Sequence, residues 1–429
     1  MIRKGLRSIE AKQGAGPPET SGKERGIGMK ILYISTAFPM EGTSTIYTDL
    51  AEALVSHGHE VTVVTKEERR NQTATSMNTE RGCRVLRIRT GNMYDVGFIE
   101  KGASIITMAW LMTGAMRRNL KGLKVDLILF EAPPVTMERV AAYAKKRFGA
   151  RAFLMMKDIF PQNAVDIGIM KKGGLVFRYF RHREASLYRT ADMIGCMSEG
   201  NVRYLREVSG VEQGKLCVFP NTKKIRHAEV NRQEIRRKYG LPLDRTVFIF
   251  GGNMGKPQGL DFMARAIISA EHVGQAFFVL VGRGTERKRV QERLKGQKNC
   301  MVLENLPRDE YDRLVSSCDV GLISLDHRFT VPNYPSRVLS YMECSMPVLG
   351  ATDRSTDFKD LLVKDAKCGI WCDSEDVGAF VEAVRKLAAS PEMRTEMGQN
   401  GRSYLEEHFS VDVSVKLLED MYGRGAGTA

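Results

Sequence analysis

Short uncharged apolar runs recur along the chain, each followed by a polar loop and an amphipathic stretch. Lys30–Ser35 (KILYIS) and Glu60–Thr65 (EVTVVT) bracket a helical segment over Tyr47–His57, where Leu50, Ala53 and Leu54 share one face. Continuous β-branched runs of this length are buried parallel strands, and strand, helix, strand in that order predicts a right-handed crossover in a doubly wound sheet. Val125–Phe130, Ala152–Met156, Met193–Met197 and Leu216–Phe219 continue the series, and Gly82–Arg89 alternates as a further strand. Pro220 and Asn221 interrupt it, and the pattern restarts with Thr246–Phe250 (TVFIF), Ala276–Val281 (AFFVLV), Met301–Leu303 and Asp319–Leu325 (DVGLISL). A chain of 429 residues is too long for one ordinary core. The fold class is therefore α/β, with two Rossmann-like parallel-sheet domains facing across a cleft. The expected division is 1–28 as a disordered extension, 29–222 as the first domain, 223–408 as the second, and 409–429 as a helix crossing back to the first, with a tail.

In open α/β sheets ligands bind outside the carboxyl ends of the strands. Three loops of the second half end there: Gly251–Gly259 (GGNMGKPQG), Gly282–Glu286 and Pro332–Arg337. Glycines after a strand let the backbone approach a diphosphate, and Lys256, Arg283 and Arg337 add one cation per loop. Ser336 is placed to cap a helix carrying Val338, Leu339 and Met342 on its apolar face, whose first turn favours phosphate. Arg337 alone reads equally as a solvated surface residue. In the first half, Thr43, Ser44, Glu131, Asp158 and Ser198 fall at strand ends on one sheet edge. No GxGxxG follows the first strand, which argues against a dinucleotide there.

The net charge of +14 calls for an anionic partner. Lys171–Arg189 interleaves six cations with apolar and aromatic residues, as an anionic membrane surface requires, though a solvated helix face has the same pattern. Phe98–Leu120, with its basic flank at Arg117, Arg118, Lys121 and Lys124, reads as a helix packed on its own sheet or as one lying on a membrane. No stacking aromatics line a basic groove, so nucleic acid is not expected. The eight cysteines form no CxxC pair and the seven histidines no ligand spacing, so no metal is expected and free thiols in a reducing cytosol are. His57 and His59, at a turn before a strand, read as structural.

In this order and spacing, KILYIS…GTSTIYTDLAEALVSHGHEVTVVT, KDIFPQNAVDIGI, VFPN, FGGNMGKPQGLD, VLVGRGTER, SSCDVGLISL and PSRVLSYMECSMPVLGATD resemble the GT-B retaining glycosyltransferases that use nucleotide sugars. The likeness is to the family 4-like group, and within it to bacterial cell-surface polysaccharide transferases of the N-acetyl-fucosaminyl type. It runs from about Met29 to Tyr422. The resemblance implies a hexosyltransferase-type enzyme moving a sugar from a nucleotide-diphosphate sugar to a lipid-linked or nascent polysaccharide acceptor. No cofactor is implied beyond the donor substrate. The location implied is cytoplasmic and peripheral on the inner face of the plasma membrane. Gly252, Asn253, Gln258, Gly282, Arg283 and Gly284 would hold the donor diphosphate, and the backbone near Asn305 and Leu306 the base. Many members carry a Glu pair around the phosphate helix, where this chain has Pro332 and Ser340, with Glu343 one turn on. Thr43, Ser44 and Asp158 match the acceptor-facing loops. Lys256, Arg337 and Asp158 are the expected catalytic set. Asp158 either orients the acceptor hydroxyl or caps the following turn. The absent Glu pair leaves a non-catalytic sugar-nucleotide-binding protein, or a GT-B sugar-nucleotide epimerase, as alternatives.

Overall fold

The computed structural model describes residues 28–93, 96–226 and 230–423, with the side chains of Phe98 and Ile99 excepted. The expected extension 1–28 lies, but for Gly28, outside the described residues. Among the described residues fourteen strands form two sheets. The first has the order β3-β4-β2-β1-β5-β6-β7-β8: β1 Lys30–Ser35, β2 Glu60–Glu68, β3 Ser76–Glu80, β4 Cys83–Thr90, β5 Leu127–Ala132, β6 Arg151–Met156, β7 Met193–Cys196 and β8 Leu216–Val218. All its pairs are parallel except β3 with β4. The second has the order β11-β10-β9-β12-β13-β14: β9 Thr246–Asn253, β10 Ala276–Arg283, β11 Cys300–Leu303, β12 Val320–Ser324, β13 Val348–Thr352 and β14 Gly369–Asp373. It is parallel throughout.

Helices cover both faces of each sheet. On one face of the first sheet, Phe98–Asn119, Glu138–Phe148 and Leu175–Thr190 pack side by side over Leu32, Ile128 and Leu154. On the other, Ile46–Ser56 packs with the last helix, Val411–Tyr422, whose Val411, Val415 and Leu418 complete the core around Tyr33 and Phe153. The chain leaves the first sheet at Asn221–Lys223 and returns where Lys223 and Ser410 bridge. His57 and His59 face Glu419 on the returning helix, and His59 Nδ1 also accepts from the Met29 amide at 3.1 Å.

Each sheet reverses its winding once, between β1 and β5 in the first and between β9 and β12 in the second. Such a reversal splays the following loops apart and opens a crevice at the carboxyl ends. The Gly251–Gly259 segment spans the end of β9 and the loop after it, and Arg337 follows β12, so the second crevice lies between them.

Candidate functional site

Backbone conformation shapes the second-domain crevice. Gly252 and Asn253 end β9 in register with Gly282 and Arg283 of β10. Gly252, Gly282 and Gly284 have φ of 110°, 148° and 155°. A Cβ on Gly282 would stand 1.9 Å from the Gly252 carbonyl oxygen, and one on Gly284 would stand 2.4 Å from the Met254 carbonyl carbon. These two loops pass so closely that only glycine fits at the crossing. The Met254 amide donates to the Arg283 carbonyl (2.8 Å) and the Glu286 amide to the Met254 carbonyl (2.9 Å), locking the loops together.

Arg337 enters from the β12 side. Its guanidinium carbon lies 4.3 Å from the centroid of the Phe250 ring, and Nη2 comes within 3.4 Å of where a Gly252 Cβ would be. Its Nη1 is buried without a hydrogen-bond partner. Among the described residues none of Lys256, Arg283 and Arg337 is in an ion pair. A half-buried guanidinium lying on an aromatic ring, with an unmet donor and no counter-ion among the described residues, has charge left over to meet an anion. Tyr311 closes this corner over Gly251, and burial raises its phenol above the usual range while Arg337 pulls it back.

Lys256 sits one turn further on, in a short 3-10 turn with Pro257 and Gln258. It is exposed and lines a cavity of about 430 Å³ together with Gly259, Asp261, Asp326, Arg328 and, from the first domain, Ile167. Gly252, Asn253, Gly282, Arg283, Gly284 and Arg337 therefore converge on one side of the β9 loop, and Lys256 faces the interdomain cavity on the next turn. Asn305 and Leu306 follow β11 at the outer end of the row, Asn305 exposed and Leu306 half-buried.

Several expected residues do other work. Glu343 forms an ion pair with Lys223 and accepts from the Arg226 amide at 2.8 Å, so it faces the hinge and not the donor crevice. Ser340 is half-buried within the helix, Val338–Glu343. Ser336 makes no capping hydrogen bond, because the helix begins two residues later with Arg337 itself at its cap. Ser198 caps Glu199–Glu207 and donates to Asp357 Oδ1 at 2.8 Å, while Asp357 Oδ2 accepts from the Gly200 amide at 2.7 Å. A carboxylate from the second domain thus occupies this helix N-terminus, and Ser198 is an interdomain clasp. Asn201 to the Pro332 carbonyl (2.8 Å) and the Thr330 amide to Asp166 (2.7 Å) add to that clasp.

On the first-domain edge, Glu131 is buried and accepts from the Thr36 amide (2.7 Å), Thr36 Oγ1 (2.9 Å) and Ser35 Oγ. Burial raises its carboxyl despite those bonds. Its oxygens hold the loop after β1 and are not open to an acceptor. Thr43 is exposed and Ser44 half-buried in that loop, which Arg81 fastens through the Thr43 (2.6 Å) and Met40 (3.0 Å) carbonyls. Asp158 is exposed at the strand end, while the packed atoms behind its carboxyl desolvate it and raise it to about 6, with Lys157 pulling the other way. Burial lowers Lys157 to about 8, countered by Glu131 and Asp158. An exposed carboxyl with a perturbed pKa at a strand end fits a proton-handling or hydroxyl-orienting group.

Phe250 and Tyr311 were not singled out from sequence. The aromatic at the end of TVFIF, one residue before the glycines, is the signal for Phe250. In Lys171–Arg189, Arg181 pairs with buried Glu184 and Arg183 with buried Glu138, so these two cations bind the helix to its own domain. Lys171, Lys172 and Arg178 remain exposed. Among the described residues no helix is long and apolar enough to cross a membrane, and no group of three or more His, Cys, Asp or Glu is placed to hold a metal ion.

Comparison with known proteins matches both halves. Residues 41–222 match the family model "Glycosyl transferase 4-like domain", and residues 231–404 match "Glycosyl transferases group 1". The probable glycosyltransferase WbjE of Pseudomonas aeruginosa is 21% identical over 323 residues, covering 74% of this chain and 79% of that one. The putative colanic acid biosynthesis glycosyl transferase WcaI of Escherichia coli (strain K12) is 22% identical over 311 residues, covering 70% and 74%. Among solved structures, Anabaena Alr3699/HepE in complex with UDP superposes with a TM-score of 0.65 at 14% identity, covering 92% of this chain and 99% of that one.

Proposed function

Given that the chain belongs to the GT-B glycosyltransferases, with a 4-like first domain and a group 1 second domain, we propose the reaction it catalyses and the residues that carry it. The donor is a nucleotide-diphosphate sugar, and the acceptor is a lipid-linked or nascent cell-surface polysaccharide at the cytoplasmic face of the membrane. The observation that carries this reading is Arg337, stacked on Phe250 beside Gly252 with a buried, unpartnered Nη1. A relative named for colanic acid biosynthesis and a fold neighbour crystallised with UDP support the acceptor and donor classes.

In this proposal the diphosphate lies across Gly252, Asn253, Gly282, Arg283 and Gly284, against Arg337, with Gln258, Ser336 and Ser340 at its margin. The base sits near Asn305 and Leu306. As the bond from C1 to the phosphate oxygen breaks, negative charge builds on the leaving diphosphate. Arg337, Arg283 and Lys256 meet that charge without moving, a form of stabilisation worth several kcal/mol. These cations fill the role a divalent metal plays elsewhere. The acceptor hydroxyl attacks C1 from the side the diphosphate leaves, giving retention. Its proton passes to a leaving phosphate oxygen, and the ionised Asp158 orients the hydroxyl, with Thr43 and Ser44 on the same edge.

A panel of radiolabelled nucleotide sugars incubated with membrane extract tests the reading. Transfer of one donor's label into lipid or polymer, with the donor's anomeric configuration kept in the product, supports it. Donor binding without transfer favours a non-catalytic sugar-nucleotide-binding protein, and an inverted product overturns the retaining mechanism.

A further inference from the structure

The helix Phe98–Asn119 presents two faces that answer different solvents. Met108, Met112, Ala115 and Met116 are buried in the core against the first sheet. On the opposite stripe Ile106 is 48% exposed, Trp110 72% and Leu111 43%. Ala103 and Thr107 continue the stripe towards its N-terminal end, and Arg117 and Arg118 close it, followed by Lys121 and Lys124; all six are exposed. Among the described residues none of these four cations is in an ion pair. An exposed Trp flanked by aliphatic residues, with uncompensated cations one to two turns away, matches the interfacial layer of a bilayer.

A second patch lies on the same face of the sheet, beyond Glu138–Phe148. Ile169 is 55% exposed, Leu175 84% and Val176 51%, among exposed Lys171, Lys172 and Arg178. Both patches repeat one chemistry, apolar side chains in water beside unpaired cations. Among the described residues nothing covers either.

We infer that the outward stripe of Phe98–Asn119 seats the first domain on an anionic bilayer, with Ile106, Trp110 and Leu111 at headgroup depth and Arg117, Arg118, Lys121 and Lys124 on lipid phosphates. The inference deepens the proposed action on a lipid-linked acceptor, and it moves the principal membrane contact away from Lys171–Arg189. The bilayer is chosen over a second copy of the chain because the flank is uniformly basic, and two such flanks facing each other would repel.

The chain has two tryptophans, and Trp371 is half-buried on the second domain with a 2.9 Å bond to Thr352 Oγ1, so Trp110 can be read by fluorescence as the signal that Trp110→Phe removes. The emission should shift to the blue on adding vesicles of phosphatidylcholine with one-third phosphatidylglycerol, and the shift should vanish in Trp110→Phe. Arg117→Gln with Arg118→Gln should lower partitioning into those vesicles roughly 30-fold, from about a fivefold loss per basic residue. Ile106→Ser with Leu111→Ser, at exposed positions that leave the fold intact, should release most of the remaining binding. UDP affinity measured on the same variants should not change, which separates this inference from the donor assignment. A blue shift that appears with protein concentration alone, or equal partitioning of wild type and the Arg117/Arg118 variant, overturns it.

Discussion

Replacing Arg337 by Met separates binding from stability, because the structure assigns the side chain opposite roles in each. In the free protein, the buried unpartnered Nη1 is a cost of roughly 1–3 kcal/mol. The stack on Phe250 returns roughly 0.5–2 kcal/mol. A Met thioether keeps the aromatic contact and carries no donor, so the variant should be as stable as wild type or slightly more so. One kcal/mol corresponds to about 2–4 °C in a domain of this size, so Tm should stay within about 3 °C. With a nucleoside diphosphate bound, the balance reverses. A cation about 4 Å from a phosphate charge interacts by about 4 kcal/mol at the effective dielectric of a partly exposed site, and desolvation takes back about half. Loss of Arg337 should therefore weaken UDP binding by about 2 kcal/mol, roughly 30-fold by calorimetric titration. Lys171→Ala, at an exposed position far along the sequence from the β9 loop, should leave it unchanged. If Arg337→Met lost more than about 8 °C while keeping its UDP affinity, the residue would be a structural brace and the receptor argument would fail.

Other consequences follow from single positions. Gly282→Ala forces a Cβ to 1.9 Å from the Gly252 carbonyl and should cost ~3 kcal/mol or more, seen as a fall in the calorimetric Tm; an unchanged Tm would deny the loop crossing. Asp158 is raised to about 6, so transfer should rise with pH through about 6 as the carboxylate forms. Asp158→Asn should lose that limb and about 10²-fold in kcat or more; a limb that persists would reassign it. Asp353 is buried with Oδ2 unpartnered and is raised to about 7 from 3.8, burial being the main cause. The folded protein therefore holds this proton longer than the unfolded chain, and its contribution falls as pH rises from about 4 through 7. Asp353→Asn should flatten that dependence and be ~1–3 kcal/mol more stable at pH 8 by denaturant titration; a parallel pH curve would refute the assignment. Glu343→Gln should leave UDP affinity unchanged, since Glu343 faces Lys223 at the hinge.

The fold was legible because burial on both faces writes a parallel strand as an unbroken apolar run. KILYIS, VDLILF, TVFIF and AFFVLV carry the order of both sheets. β3, SMNTE, was not legible: it is an antiparallel edge strand with polar residues on both faces, so neither a run nor an alternation marks it. In the site, the glycines after β9 and β10 and the cation after β12 were readable, since sequence order fixes which loops reach the same sheet edge. Side-chain direction was not. Glu343, Ser198 and Glu131 sit at or near the right edge, and each is spent on a partner distant in sequence: Lys223, Asp357 and the loop after β1. Arg181 and Arg183 likewise look like free charges until their buried glutamates appear. The unmet Nη1 of Arg337 exists only once Phe250, Gly252 and Tyr311 surround it.

The central claim is that the second-domain crevice grips a diphosphate. A crystal structure of the chain with bound UDP tests it most directly. The diphosphate should lie within hydrogen-bond reach of the Arg337 guanidinium and of backbone amides in Gly252–Met254. A diphosphate seated in the cavity beside Asp261 and Asp326, with Arg337 untouched, would contradict it.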